Sequence, residues 1–261
     1  MIDNTNDYIA LMKARAVGEL PDMGCALRVA ELIKEMPAAL FDTNAVDVLD
    51  VGCATGHFLR TFMRHKLRFA RYTGLEIDSA MWRAAQDAWA AEIRDGTAEF
   101  INEDLENFVS RKQFDFVICV NAFMYFASAK TALSNLLRAT RHHLLIRSYF
   151  TDSNYRIVRA QTRQNHDKSA YDELDVFDDD GNIRCYDFWN MYSCTYVEAV
   201  VSTIAPGAKL EWIEDLNVVS SLEAESRLKI AKRGATQLLD GHEVSYPFIL
   251  PWKWLSITVP H

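Results

Sequence analysis

The chain has 261 residues, 49% of them hydrophobic and 25% charged, which is enough apolar material for a large core and too much for a disordered chain. Its formal net charge of −8 removes the electrostatic footprint of a generic nucleic-acid or anionic-membrane binder. No apolar run approaches the ~18 residues of a membrane span, and the opening M-I-D-N-T-N-D-Y carries acid where a secretory signal would be apolar, so a cytoplasmic setting is expected. Cys25, Cys53, Cys119, Cys185 and Cys194 are odd in number and form no C-x-x-C pair, which favours free buried thiols over disulfides or metal ligands.

Residues 5–40 read as two helical pieces, broken near residues 18–21 and ended by Pro37. Leu27, Ala30, Ile33 and Leu40 recur at helical spacing and should pack on a sheet. Tyr8 and Met12, one turn apart, read as a core stripe or as a cover over a ligand. Residues 46–59, V-D-V-L-D-V-G-C-A-T-G-H-F-L, follow: a short β-branched run, then Gly52, Ala54 and Gly56 at alternate positions, then a helix-compatible segment. Small residues let the backbone turn sharply and approach a ligand, so the stretch reads as strand, ligand loop and helix.

The helix is expected over 57–67 and a second strand over 71–78, ending in acid. Ser79 is expected to cap a helix over 80–93 with Met81, Ala84, Ala85 and Ala88 on its apolar face. Strands follow at 97–101, 114–120 and around 144–146, the last after a helix over 130–141. Five alternations of strand and helix predict an α/β fold, a doubly wound, mostly parallel sheet with helices on both faces and ligands at the carboxyl ends of the strands. Beyond residue 150 the regularity fails. A helix is predicted over 155–164, a hairpin turn at Asp178-Asp179-Asp180-Gly181-Asn182, a helix over 193–202, a turn at Pro206-Gly207 and a strand over 209–213. A charged helix over 220–233 and a β-rich run over 255–259 close the chain. The acid run lacks the glutamate that would close a calcium loop. The expected division is an N-terminal helical segment (1–43), a ligand-binding core (44–150), an inserted cap (151–192) and a C-terminal completion of the sheet (193–261).

Acids fall at successive strand ends: Asp50 within the first, Glu76 ending the second, Asp104 after the third. On a doubly wound sheet these line one crevice, and a carboxylate about 20 residues past the glycine loop is placed to accept ribose hydroxyls. The loop lacks G-x-G-x-x-G, and Asp50 puts negative charge where a pyrophosphate would lie, so a nucleoside bearing an ammonium fits better than a dinucleotide.

D-V-G-C-A-T-G-H-F, G-L-E-I-D-S-A-M, N-E-D-L and F-D-F-V-I-C-V-N-A-F resemble, in order, the motifs of the class I S-adenosylmethionine-dependent methyltransferases, over residues 44–150. The resemblance implies that Gly52, Cys53, Ala54 and Gly56 hold the methionine part of the cofactor with Asp50 in support. It further implies that Glu76 binds the ribose, that Ile77 packs on the adenine, that Asp104 meets its amino group beside Leu105, and that Asn121 stands near the sulfonium. Ala54 replaces a more usual glycine, a change an ordinary backbone conformation would tolerate. Arg141-His142-His143 replaces a Pro-Gly turn before the fifth strand. The N-P-P-Y motif of one N-methyltransferase branch is absent, and Cys119, Val120 and Asn121 supply no carboxylate for a catechol-type metal, so no metal site is expected.

The resemblance implies methyl transfer by in-line displacement, in which the protein aligns nucleophile and methyl and removes a proton where needed. His57, His142 and His143 are the candidate bases, with His57 and His143 preferred; each also fits a structural role. Arg147, Arg156, Trp189 and Tyr192 are candidate acceptor contacts: the arginines, with Arg156, Arg159 and Arg163 on one predicted helix face, read as a solvated face or as a clamp for an acceptor phosphate or carboxylate, and the aromatic residues as core or as a substrate wall. The expected partner is a small polar acceptor, with no nucleic acid and no membrane, and a homodimer is compatible. The alternatives are a macromolecule methyltransferase, a methyltransferase-like scaffold without turnover, and a nicotinamide dehydrogenase.

Overall fold

Apolar β-branched runs flanked by amphipathic helices build the centre of the molecule. A computed structural model describes residues 5–36, 46–160, 177–183, 186–215, 237–239, 242–245 and 248–260. Two helices, α1 (Thr5–Ala16) and α2 (Gly24–Glu35), precede β1 (Asp47–Val51), α3 (His57–Arg64), β2 (Arg71–Glu76), α4 (Ser79–Ala88), α5 (Ala90–Asp95), β3 (Ala98–Asn102) and β4 (Phe114–Val120). Next come α6 (Ala129–Ala139), β5 (Thr140–Thr151), β6 (Tyr155–Ala160), β7 (Tyr186–Ser193), α7 (Cys194–Ile204) and β8 (Lys209–Glu214). The chain ends with β9 (Gln237–Leu239), β10 (His242–Ser245), β11 (Phe248–Leu250) and β12 (Trp252–Thr258).

The main sheet has the order β3-β2-β1-β4-β5-β12-β8, with β7 on the end of β5 and β6 on β7; β11-β10-β9 form a second, small sheet. The strands from β3 to β5 are parallel, whereas β12 is antiparallel to both β5 and β8. The order reverses between β1 and β4, which opens the crevice at their carboxyl ends where ligands bind in such sheets.

Strand periodicity sends alternate residues to opposite faces. Leu49, Val51, Val117, Cys119 and Ile146 pack beneath α6 and α7, whereas Val48, Tyr72, Phe116, Ile118 and Trp254 pack beneath α2, α3 and α4. Among the described residues, Cys25, Cys53, Cys119 and Cys194 form no disulfide. Among the described residues no helix is long and apolar enough to cross a membrane.

Several elements differ from expectation. Asp78, not Ser79, caps α4, its Oδ1 accepting from Ala80 and Met81, and the helix breaks at Trp89 into α4 and α5. On α2 the buried face runs through Cys25, Ala26, Val29, Ala30 and Leu32, leaving Leu27 exposed and Ile33 half-buried. No turn separates α6 from β5: Thr140 closes the helix by bonding Leu136 and starts the strand, so Arg141, His142 and His143 lie within β5. Residues 155–160 form a strand, not a helix, because pairing with β7 satisfies their backbone and the β-branched Ile157 and Val158 suit a pleated surface. Arg156 therefore sits on a strand, and Arg163 lies outside the described residues, as do Leu40, Cys185 and the predicted helix 220–233. The hairpin stands, with Phe177 bridging Ile183 and the Asp178 amide donating to Asn182.

Candidate functional site

The glycine loop folds back on the neighbouring strand. Amides of Gly52 and Cys53 both donate to the Leu75 carbonyl, at 2.8 and 3.2 Å. Gly52 has φ +75°, and a Cβ there would stand 2.5 Å from the Ala122 methyl, so the loop touches the segment after β4. Gly56, at φ +76°, is the residue from which α3 starts. Ala54 does not take an ordinary conformation as expected: its φ is +50°, in the left-handed region where a Cβ costs about 1–2 kcal/mol. Restoring glycine there is expected to give a small gain, about 0.5 kcal/mol after the entropy glycine loses on folding, read as a rise of 1–2 °C or so in Tm; no rise would mean the loop relaxes that strain elsewhere.

Glu76 closes the crevice on one side. Its Oε2 accepts from the Ala54 amide at 2.8 Å and its Oε1 from the Asp78 amide at 2.9 Å, so the loop itself aims the carboxylate. Burial raises its pKa against the opposing pull of those amides. Ile77, next to it, is 65% exposed although aliphatic, and Asn102 anchors this turn by donating to the carbonyls of Glu76 and Ile77. Asp104 bonds the Glu106 amide, and Leu105 is buried in the core below. Asp50 is fully buried beneath the loop, where the Tyr72 hydroxyl donates to its Oδ2. Burial pushes the Asp50 pKa up to about 7; the Tyr72 bond opposes this and the Glu76 charge adds to it.

Helix α1 lies across the loop. Thr55 Oγ1 donates to the Met12 carbonyl at 2.7 Å and Arg60 Nε to the Ala16 carbonyl at 2.9 Å. Met12 is buried in that contact, whereas Tyr8 keeps an exposed edge; burial, then Tyr125 and Glu76, push its phenol up to about 12, so it remains a neutral donor. His57 is 8% exposed, and among the described residues neither ring nitrogen has a partner; burial and the Arg15 charge push it down to about 3.

Asn121 ends β4 with φ +61°, and its Oδ1 accepts from Arg147 Nη1 at 2.5 Å. Trp189 packs near this point with Met124, Tyr149, Met191 and Trp252. Arg156 and Tyr192 lie elsewhere, together lining a depression with Ala127, Ser128 and Tyr196, where Arg156 donates to the Ala127 carbonyl and to Asn190. His143 is four residues before Arg147 on β5, about 13 Å along the strand. There its ring contacts Ser256 and Thr258 at 3.0 and 3.3 Å and stacks on Phe116, and burial pushes it down to about 4.

The crevice thus gathers Asp50, the glycine loop, Glu76, Ile77 and Asn121, with Tyr8 above, and leaves His143, Arg156 and Tyr192 outside. Sequence reasoning missed Tyr72, Arg15, Asp215 and the two tryptophans of β12. Tyr72 carried a usable signal, a phenol among the apolar residues of a buried strand; a hydroxyl there needs a partner. The other four are joined to the site only by tertiary contacts.

Residues 48–143 match the family model of a methyltransferase domain. No curated protein matches the chain. Among solved structures, similarity extends to CalS10, an amino pentose methyltransferase from Micromonospora echinaspora involved in calicheamicin biosynthesis, solved with S-adenosylmethionine bound. It is 18% identical over 97% of this chain and 97% of that one, with a TM-score of 0.56. A chain from a Haloferax volcanii complex that contains the Trm112 methyltransferase activator is 15% identical over 99% and 98%, with a TM-score of 0.57. An S-adenosylmethionine-dependent methyltransferase from Clostridium acetobutylicum is 11% identical over 99% and 100%, with a TM-score of 0.54.

Proposed function

We propose, from the premise that this chain is a class I S-adenosylmethionine-dependent methyltransferase, that it methylates an oxygen or nitrogen of a small polar metabolite, sugar or biosynthetic intermediate. The observation that carries this reading is the crevice itself: a loop-aimed carboxylate, an exposed aliphatic side chain beside it and a buried acid of raised pKa beneath it. Glu76 has lone pairs left over for two ribose hydroxyls, and Ile77 offers an apolar platform for a purine. Asp50 suits a ligand with an ammonium at its methionine end. When bound, S-adenosylmethionine supplies an electrophilic methyl on a sulfonium. The protein's own part is to hold the nucleophile in line and to keep water out, α1 and Tyr8 serving the second need.

An amine is the acceptor to try first. His57 and His143, both held neutral by burial, are poor bases at neutral pH, and a neutral amine needs none, because its proton leaves after the methyl has been added. The amino pentose methyltransferase of similar fold makes amino sugars a sensible first pool. Transfer of label from methyl-tritiated S-adenosylmethionine to separated amine-bearing and hydroxyl-bearing pools tests this reading. Transfer to amines supports it, transfer to hydroxyl compounds alone moves the acceptor to oxygen, and tight cofactor binding without transfer to any pool favours a scaffold.

Asp50 adds a pH signature. In the free protein it is protonated below about pH 7, and a cofactor ammonium would favour its charged form, so binding must displace a proton there. Affinity for S-adenosylhomocysteine is therefore expected to rise as pH rises, by up to ~10-fold per unit below 7, and to level off above. Titration calorimetry between pH 5.5 and 8 reads it, and Asp50→Asn should flatten the profile. A flat profile in the unaltered protein would place Asp50 away from the ligand charge.

A further inference from the structure

We propose that Arg147 is a positioning residue for methyl transfer: it locks the Asn121 side-chain amide so that its N–H group, and not its carbonyl, faces the crevice. The proposal rests on the methyltransferase reading, which makes the end of β4 the place where acceptor and methyl meet.

Arg147 is 4% exposed, on the strand next to β4. Its Nη1 donates to Asn121 Oδ1 at 2.5 Å, and the Asn121 backbone amide donates to the Arg147 carbonyl at 3.0 Å, so one residue holds Asn121 by main chain and side chain together. An asparagine at φ +61° is in a region its short polar side chain tolerates and most residues avoid. With the carbonyl oxygen engaged by a guanidinium, which has donors only, the amide cannot turn over without facing N–H against N–H. Its Nδ2 donates to Cys25 Sγ on α2 at 3.7 Å, a weak acceptor, and among the described residues its second hydrogen has no other acceptor.

The guanidinium is itself held on every side. Nε donates to Asp215 Oδ2 at 2.7 Å, and Nη2 donates to the same oxygen. Trp254 Nε1 donates to the other Asp215 oxygen at 2.9 Å. The Trp252 ring centroid lies 3.8 Å from Arg147 Cζ, and that of Trp254 5.7 Å away. Asp215 neutralises Arg147 at close range, so the guanidinium is not offered to an anionic acceptor, which was the role its sequence position suggested. The Trp252 ring also rests against Tyr149, at 4.2 Å between centroids, so the lock is continuous with the apolar group around Met124 and Met191. Methyl transfer breaks the carbon–sulfur bond as the acceptor's lone pair forms the new bond in line, so the acceptor must be aimed; a fixed N–H donor beside the reacting atoms selects acceptors that carry a second polar atom, with a lone pair of its own, at that point.

The test is nuclear magnetic resonance of the Asn121 side-chain amide in nitrogen-15 labelled protein, assigned through Asn121→Asp, with S-adenosylhomocysteine as the probe. In the unaltered protein the amide pair should be sharp and shift when the probe is added. In Arg147→Met the pair should broaden or move toward free-amide positions, while affinity for the probe stays within about 3-fold; Arg147→Lys, which keeps one donor, should restore part of the sharp signal. Unchanged Asn121 amide signals in both variants would overturn the proposal. If Arg147→Met does not fold, Arg147→Lys alone decides: an amide identical to the unaltered protein's, with no partial loosening, overturns it. Failure of the underlying reading shows separately, as absence of S-adenosylhomocysteine binding by the unaltered protein.

Discussion

Glu76→Ala is expected to weaken binding of S-adenosylhomocysteine by roughly 10²–10⁴-fold, the largest loss any single crevice substitution should produce. Two charge-assisted hydrogen bonds to ribose hydroxyls are each worth about 1.5–3 kcal/mol, and 1.4 kcal/mol is about tenfold. Removing the carboxylate also frees the Ala54 and Asp78 amides that it now holds, so the glycine loop loses its brace. Glu76→Gln separates the two effects in part. It removes the charge and keeps one oxygen to accept from one of the two amides, while its NH2 faces the other, so its loss should be smaller, about 10-fold. Equal losses in both variants would mean that the one retained acceptor contributes nothing to binding. A loss under about 3-fold in Glu76→Ala would move the ribose away from β2.

Gly56→Ala should lower stability by about 2–5 kcal/mol. The φ of +76° costs an alanine about 1–2 kcal/mol by itself. The new methyl would also stand 2.7 Å from the Phe100 ring and 2.8 Å from Trp89 Nε1, and both rings are buried. Overpacking of this kind costs about 1–3 kcal/mol. Trp89 cannot retreat freely, because its Nε1 donates to the Thr55 carbonyl at 3.0 Å and so holds the far side of the same loop. Gly96→Ala is the matched comparison. It has φ +82° and open space around the missing Cβ, so it should show the strain alone. At roughly 2–4 °C per kcal/mol, Gly56→Ala should melt several degrees below Gly96→Ala. Equal melting temperatures would mean that the rings move aside at little cost.

These two residues also mark what could be read without a structure. The strand, loop and helix from Asp47 to Arg64, the strand Phe114–Val120 and the acid at Glu76 follow from local pattern: β-branched runs, alternating small residues and a carboxylate at a strand end. That Gly56 must be glycine was legible from turn chemistry, but not that Phe100 and Trp89 crowd it, since those contacts join residues more than 30 apart. Ala54 misled because alanine gives no hint of a left-handed conformation. The segment Tyr155–Ala160 misled for another reason. Its arginine spacing suited a helix, and only the pairing of Arg156 with Asn190 and its neighbours made it a strand.

The surroundings of β5 were the least legible. Arg147 follows an apolar run and is visible as a charge, but its meaning depends on Asp215, 68 residues away, and on tryptophans of the last strand. A buried arginine reads as a ligand for an external anion until its internal partner is known. His143 is the converse. Its place before an apolar run suggested a reactive base, whereas Ser256 and Thr258 on the antiparallel neighbour hold it inside the sheet.

A crystal structure of the protein grown with S-adenosylhomocysteine decides where the nucleoside binds. It should show the ribose hydroxyls on the Glu76 carboxylate, the adenine over Ile77, the methionine end against the loop from Gly52 to Gly56 above Asp50, and the open side of the sulfur toward Asn121. The nucleoside bound elsewhere, or in this crevice with its ribose turned away from Glu76, would contradict it.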